Sequence, residues 1–194
     1  FVEIKLHLIG KLQTNKVKYA VPLFDYIHSL DSQKLAEKIA NEQEKKNRKV
    51  KIFIQINIGN EAKKAVQIFD YIHSLDSQKL ADVCAKTQNS INKSIKYFIQ
   101  VNLGNETQKS GISFSEVDAF YNYCVMEKKL NILGLMAIPP NDNNTEKYFK
   151  SISELNASLG LKNLSIGMSS DYMVAINNKA THLRIGSSIF GERS

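Results

Sequence analysis

Short runs of β-branched and apolar residues recur along the chain, with helix-length amphipathic stretches between them. The first predicted strand is IKLHLIG (4–10), followed by a loop and a short helix through TNKVKYAVPLF. YIHSLD (26–31) is the next strand, and Ser32 is placed to cap the helix QKLAEKIANEQEKK. KIFIQINIG (51–59) is a strong third strand. The order then recurs as a short helix AKKAVQIF, a strand YIHSL, a helix SQKLADVCAKTQNS and a strand YFIQVNLG. Further on lie a helix around FSEVDAFYNYCVMEKK, a strand ILGLMAIP, a helix TEKYFKSISELNASLG and a strand NLSIGMS. A helix SDYMVAINNKA and a strand HLRIGSSIFG complete the series. Strands are therefore predicted near 4–10, 26–31, 51–58, 71–75, 97–103, 132–138, 164–168 and 182–186.

Strands separated by helices read as βα units on a parallel sheet. Eight such units point to an α/β fold, a TIM-barrel-like (β/α)8 ring in one domain spanning 1–194. The chain is short for that fold, so a doubly wound open sheet is the alternative.

The series also repeats itself. FDYIHSLDSQKLA runs from Phe24 to Ala36 and again from Phe69 to Ala81, so residues 20–64 align with 65–109 without a gap. FIQINIGNE (53–61) likewise matches FIQVNLGNE (98–106). One period holds two βα units, which reads as a tandem duplication rather than a solenoid. The two copies bring the predicted strand number to eight, and a ring requires the first strand, around Leu6, to pair with the last, around Leu183.

Charge changes this picture little. The formal net charge is +7, much of it in EKIANEQEKKNRKVK (37–51), where acids and lysines alternate as on a solvated helix face. No aromatic residues interleave with those lysines, so no nucleic-acid partner is expected, whereas a phosphorylated small molecule suits the charge. No apolar run is long enough to span a membrane, and no leader is evident, so a cytoplasmic protein is expected. Cys84 and Cys124 lack metal or redox spacing and are expected as buried free thiols.

Candidate chemistry gathers in the last third. LSIGMSSDY puts Gly167, Ser169 and Ser170 at a strand end before a helix, and RIGSSIFGER puts Arg184, Gly186, Ser187 and Ser188 at the end of the last strand. Small residues let the backbone approach an anion, and N–H and hydroxyl groups donate to it. Arg184 can add charge and directed donors. Asn57, Asn102, Met136 and Ala137 also end predicted strands, where barrel side chains reach a ligand. His7, among apolar neighbours, reads as packed, and His28 and His73 are equivalent by the repeat. No metal-ligand set, nucleophile elbow or phosphate-binding P-loop is present in the sequence, and no catalytic residues are assigned.

Five ordered stretches together resemble the pyridoxal phosphate homeostasis protein family, small relatives of the alanine racemase N-terminal barrel. They are HLIGKLQTNKVKYAVPLFDYIHSLDSQKLA, IQVNLGNETQKSGI, LGLMAIPP, LSIGMSSDY and ATHLRIGSSIFGER. The resemblance implies a barrel that binds pyridoxal 5′-phosphate in vitamin B6 homeostasis, without enzymatic turnover. It also implies pyridoxal-phosphate-dependent apoenzymes as partners, and a monomer is expected. By motif, Ser169, Arg184, Gly186 and Ser187 are expected at the phosphate, with Met136 lining the ring pocket and Asn102 at the same mouth. The family's Ala-Val-Ser-Lys-Thr-type and Phe-Gly-Glu-Asn-type motifs have no counterpart in this sequence. Covalent attachment through that lysine is therefore expected to be impaired or lacking, with less expected of Lys5 as a substitute. A racemase- or decarboxylase-like enzyme and a non-functional remnant are the rival expectations.

Overall fold

A computed structural model describes residues 4–8, 12–27, 33–52, 60–104 and 109–190. The strands are β1 (Lys5–Leu8), β2 (Tyr26–Ile27), β3 (Lys51–Ile52), β4 (Tyr71–Leu75), β5 (Lys96–Asn102), β6 (Ile112–Ser113), β7 (Asn131–Ala137), β8 (Asn163–Met168) and β9 (His182–Ile185). The helices are α1 (Val17–Leu23), α2 (Gln33–Lys46), α3 (Asn60–Ile68), α4 (Gln78–Ser90), α5 (Val117–Asn122), α6 (Thr145–Ser158), α7 (Tyr172–Asn177) and α8 (Ser187–Phe190). Each of the eight sequence-predicted strands is found, while β6 is a two-residue addition beside the end of β5. The predicted tips of the second and third strands, 28–31 and 53–58, lie outside the described residues.

All pairings are parallel, and the ladder runs β3-β2-β1-β9-β8-β7-β5-β4. Leu6 stands opposite Leu183, so the first strand is held between the second and the last as a ring requires. The sheet curls round on itself, although no backbone pairing joins β3 to β4 among the described residues. On a flat sheet β1 and β4 would be about 24 Å apart at the usual strand spacing, yet the His7 and His73 rings lie 5.2 Å apart. At the two ends of the ladder, Lys51 Nζ donates to Tyr71 Oη at 3.0 Å. The TIM-barrel-like (β/α)8 reading therefore holds and the flat doubly wound alternative does not.

Alternation along the strands sorts residues to two sides. Leu8, Ile27, Ile72, Tyr97, Ile99, Leu135, Ile166 and Leu183 point outward and pack under helical residues such as Val17, Leu35, Leu80, Phe120 and Phe149. Each such aliphatic or phenyl side chain contributes about 1.5–3 kcal/mol on burial. Inside the ring a separate cluster forms from Tyr26, Tyr71, Phe98 and Met136. At one point the packing leaves no room at all: a Cβ on Gly134 would fall 1.8 Å from the Asn163 carbonyl oxygen. Helix α4 is capped by Ser77, whose hydroxyl accepts the Leu80 N–H at 3.3 Å. No helix is long and apolar enough to cross a membrane among the described residues.

Candidate functional site

Parallel strands bring the ends of β8 and β9 to one rim. Gly167 has φ +92° near the end of β8, a backbone conformation that favours glycine. A Cβ there would come 2.5 Å from Cβ of Ala175 on α7, so the glycine lets helix and strand close together. After it, Asp171 Oδ1 accepts the Met168 N–H at 2.5 Å, and the Asp171 N–H donates to the Met168 carbonyl at 3.1 Å. This turn presents Ser169. Its Oγ accepts N–H bonds from Gly186 at 3.1 Å and Ser188 at 3.3 Å, while Ser188 Oγ donates to the Ser169 carbonyl at 3.2 Å. Two backbone donors from one loop thus converge on a single oxygen from the other. Such a pair of N–H groups forms a cup suited to an anionic oxygen.

Arg184 lies beneath this cup, buried inside the ring. Nη1 donates to the carbonyl of Ser165 at 2.8 Å and to its hydroxyl at 3.0 Å, and Nη2 donates to the Ala137 carbonyl at 2.7 Å. Nε is buried without a hydrogen-bond partner among the described residues. Burial pushes the guanidinium down to about 10, a trend opposed by the charge of Asp171. No carboxylate forms an ion pair with it among the described residues. A buried cation placed in this way favours an anion in the adjoining loops.

The six residues expected at the site therefore separate. Ser169 and Gly186 meet directly, Ser187 begins α8 beside them, and Arg184 supports them from within. Arg184 spends its Nη donors on Ser165 and Ala137, where the sequence suggests direct donation to a phosphate. Met136 packs with Tyr26, Tyr71 and Phe98 in the interior. Asn102, at the end of β5, donates from Nδ2 to the Lys109 carbonyl at 3.3 Å. Asn57 and His28 lie outside the described residues.

Three residues in the interior had no role assigned from sequence. Ser165 joins Arg184 to His73, whose Nδ1 is 3.3 Å from the serine hydroxyl. His182 lies with ring centroids 5.1 Å from His7 and 5.9 Å from His73. Burial, then the charges of Lys5 and Lys51, push His182 down to about 4, against the pull of Asp25. Its period-two spacing from Arg184 on β9 is the signal that both face inward. Among the described residues no group of three or more His, Cys, Asp or Glu could hold a metal. Cys84 and Cys124 are buried free thiols, each pushed up to about 12 by burial.

The lysines of the inner face sit at the other rim. Lys5, Lys51 and Lys96 are the first residues of β1, β3 and β5. Lys5 stands opposite His182, four residues before Gly186. That separation is about 13 Å along a strand, beyond the reach of a lysine side chain. Lys5, Lys51 and Lys96 thus stand at the rim away from the turn that carries Ser169.

The alanine racemase N-terminal domain family matches residues 59–194. A pyridoxal phosphate homeostasis protein of Aquifex aeolicus is 31% identical over 201 aligned positions, covering 99% of this chain and 68% of that protein. The protein of that name from Escherichia coli K12 is 30% identical over 198 positions, covering 98% of this chain and 65% of that protein. The chain thus spans about two thirds of the length of these relatives. Among solved structures, a Bifidobacterium adolescentis protein of unknown function has a TM-score of 0.84 at 20% identity, covering 96% of this chain and 84% of that one. PipY of Synechococcus elongatus, solved with pyridoxal phosphate bound, has a TM-score of 0.76 at 24% identity, covering 97% of this chain and 92% of that one. At these identities the structural likeness speaks for the fold.

Proposed function

The chain belongs to the pyridoxal phosphate homeostasis protein family, and on that premise we propose that it binds pyridoxal 5′-phosphate as a carrier and performs no catalytic turnover. The observation that carries this reading is the convergence of the Gly186 and Ser188 N–H groups on Ser169 Oγ, above a buried Arg184. In this reading Ser169, Gly186 and Ser187 bind the phosphate, and Arg184 ties β9 to β8 and β7 within the ring and supplies positive charge. Asn102 and Met136 would contact the ligand only from the β5 and β7 side of the same barrel. The cofactor supplies an aldehyde for amine chemistry. With Lys5, Lys51 and Lys96 at the opposite rim, the proposal is attachment without a covalent bond to any of them. Residues 1–194 act as one binding domain, a cytoplasmic monomer that passes the cofactor to apoenzymes dependent on it.

An absorbance titration with pyridoxal 5′-phosphate, then borohydride reduction and intact mass, tests this. Saturable binding competed by inorganic phosphate, weakened at least tenfold in Ser169→Asp and leaving no adduct after reduction, is the expected result. A stoichiometric adduct on one lysine would overturn the non-covalent part. Lack of saturable binding by a chain that unfolds cooperatively would overturn the function itself.

A further inference from the structure

The rim opposite the cup has a chemistry of its own. Five successive strands in the ring, β1 to β5, begin with Lys5, Tyr26, Lys51, Tyr71 and Lys96. Tyr26 is in register with Lys51, and Tyr71 with Lys96. Tyr71 Oη accepts from Lys51 Nζ at 3.0 Å and from Lys96 Nζ at 3.2 Å. The two ammonium groups also lie 4.7 and 5.1 Å from the centre of the Tyr71 ring, and Lys51 lies 5.5 Å from that of Tyr26. Both lysines are exposed, whereas Tyr71 is buried.

Two cations held on one neutral oxygen repel one another. Neither has a carboxylate partner among the described residues. Asp25 and Asp70, the acidic residues preceding Tyr26 and Tyr71, are engaged elsewhere: Asp25 Oδ2 accepts the Leu6 N–H at 3.0 Å and its Oδ1 lies 3.5 Å from Arg48 Nη2, while Asp70 Oδ1 lies 3.6 Å from Lys93 Nζ. Burial pushes the pKa of Tyr71 up, but the hydrogen bonds and charges of Lys51 and Lys96 together outweigh it and bring it below the ordinary phenol value. The two ammonium groups thus place a positive field at that oxygen.

The repeat is what creates this arrangement. Tyr26 and Lys51 are separated by the same interval as Tyr71 and Lys96, in matching positions of the two copies. A single copy would supply one tyrosine and one lysine. Two copies in succession place one tyrosine between two lysines.

We propose that this rim is a second anion site, in which Lys51, Lys96 and the Tyr71 hydroxyl bind a phosphate-class oxyanion. Lys5 on β1 and His182 on β9 bound the same opening, and His182 stays neutral there. The several donors match a tetrahedral oxyanion better than the two oxygens of a carboxylate. The site is independent of the cup at Ser169, which lies at the other end of the strands.

The test is NMR of protein carrying tyrosine labelled with carbon-13 at Cζ, with Tyr71→Phe assigning one signal among the eight tyrosines. Inorganic phosphate is titrated at constant ionic strength. The Tyr71 signal is expected to move saturably, with at least tenfold weaker apparent affinity in the Lys51→Gln, Lys96→Gln double variant. Ser169→Asp should leave the response in place, which separates this rim from the cup. A signal that does not move, or that moves equally in the double variant, would overturn the site. An equal response to acetate would overturn its assignment to the phosphate class.

Discussion

Residues 24–27 and 69–72 carry the same four letters, FDYI, and make the same backbone bonds, yet their tyrosines have different neighbours. In the first copy the Phe24 N–H donates to Ala20 at 3.0 Å and the Lys51 N–H to Asp25 at 2.9 Å. In the second, Phe69 donates to Ala65 at 2.8 Å and Lys96 to Asp70 at 2.9 Å. Asn47 and Asn92 both turn the chain with positive φ, 46° and 50°. Arg48 and Lys93, at matching positions, each donate to the carbonyls before the strand and lie 3.5 and 3.6 Å from Asp25 and Asp70. Tyr26, however, stacks on His7 at 4.2 Å, while Tyr71 accepts from two lysines. Local sequence sets the local bonds, and place in the ring sets the chemistry.

The helices extend the comparison. Gln88 Oε1 accepts from the buried Tyr97 hydroxyl at 2.9 Å, but its counterpart Gln43 accepts the Val50 N–H at 2.6 Å. The first copy has Ile52 where the second has Tyr97, so Gln43 has no phenol to receive and takes a backbone donor instead. An amide that changes partner lets a repeat diverge without stranding a polar group.

The largest test of equivalence is the core. Phe24→Ala and Phe69→Ala should each cost about 3–5 kcal/mol in urea unfolding, since both phenyl groups are buried. A cost below about 1 kcal/mol in either one would break the parallel between the copies.

Acid should act on both copies together, because the His182 ring lies 5.9 Å from Tyr26 and 5.0 Å from Phe98. In the folded chain His182 is held at about 4, below its ordinary 6.5. The unfolded chain therefore binds more protons between those values. The resulting stabilisation is complete above 6.5 and is lost as pH falls towards 4, to a limit of about 3 kcal/mol. Thermal unfolding across that window should show the loss, and His182→Leu should flatten it. A wild-type profile as flat as that of His182→Leu would remove this account.

The smallest effect separates the two glutamines. Gln88→Ala should cost about 1–3 kcal/mol by leaving the Tyr97 hydroxyl unpaired inside the protein, and Tyr97→Phe in the same chain should recover part of it. Gln43→Ala should cost about 1 kcal/mol, since the bond from the Val50 N–H ends on a side chain that is only half-buried. Equal costs would mean that the exchange of partners has no energetic content.

Much of this architecture was legible in the sequence, for identifiable reasons. Apolar runs at βα spacing gave the strands, and the count of eight required Leu6 to face Leu183. Ser169 and Gly186 could be joined because both follow strands that are adjacent in any such ring. The two-residue β6 carries no pattern of its own, since Ile112 and Ser113 pair only by lying beside the end of β5. The interior was harder to read. The period-two spacing of His182 and Arg184 puts both on one face of β9, but a strand of four residues offers only that one alternation to read. Arg184 was expected at the phosphate from the letters around it, and its buried Nη atoms donate to Ser165 and Ala137, partners that no motif names.

The contact of Gly167 with Ala175 bears on the entropy of binding. Since α7 is pressed against β8 at that glycine, the turn carrying Ser169 is fixed before any ligand arrives. A visiting anion would have to displace Ser169 Oγ from the Gly186 and Ser188 N–H groups, but would spend little of its interaction energy on ordering a loop. Binding of this kind asks for the turning of one side chain rather than the folding of a segment, and so carries a small entropic cost.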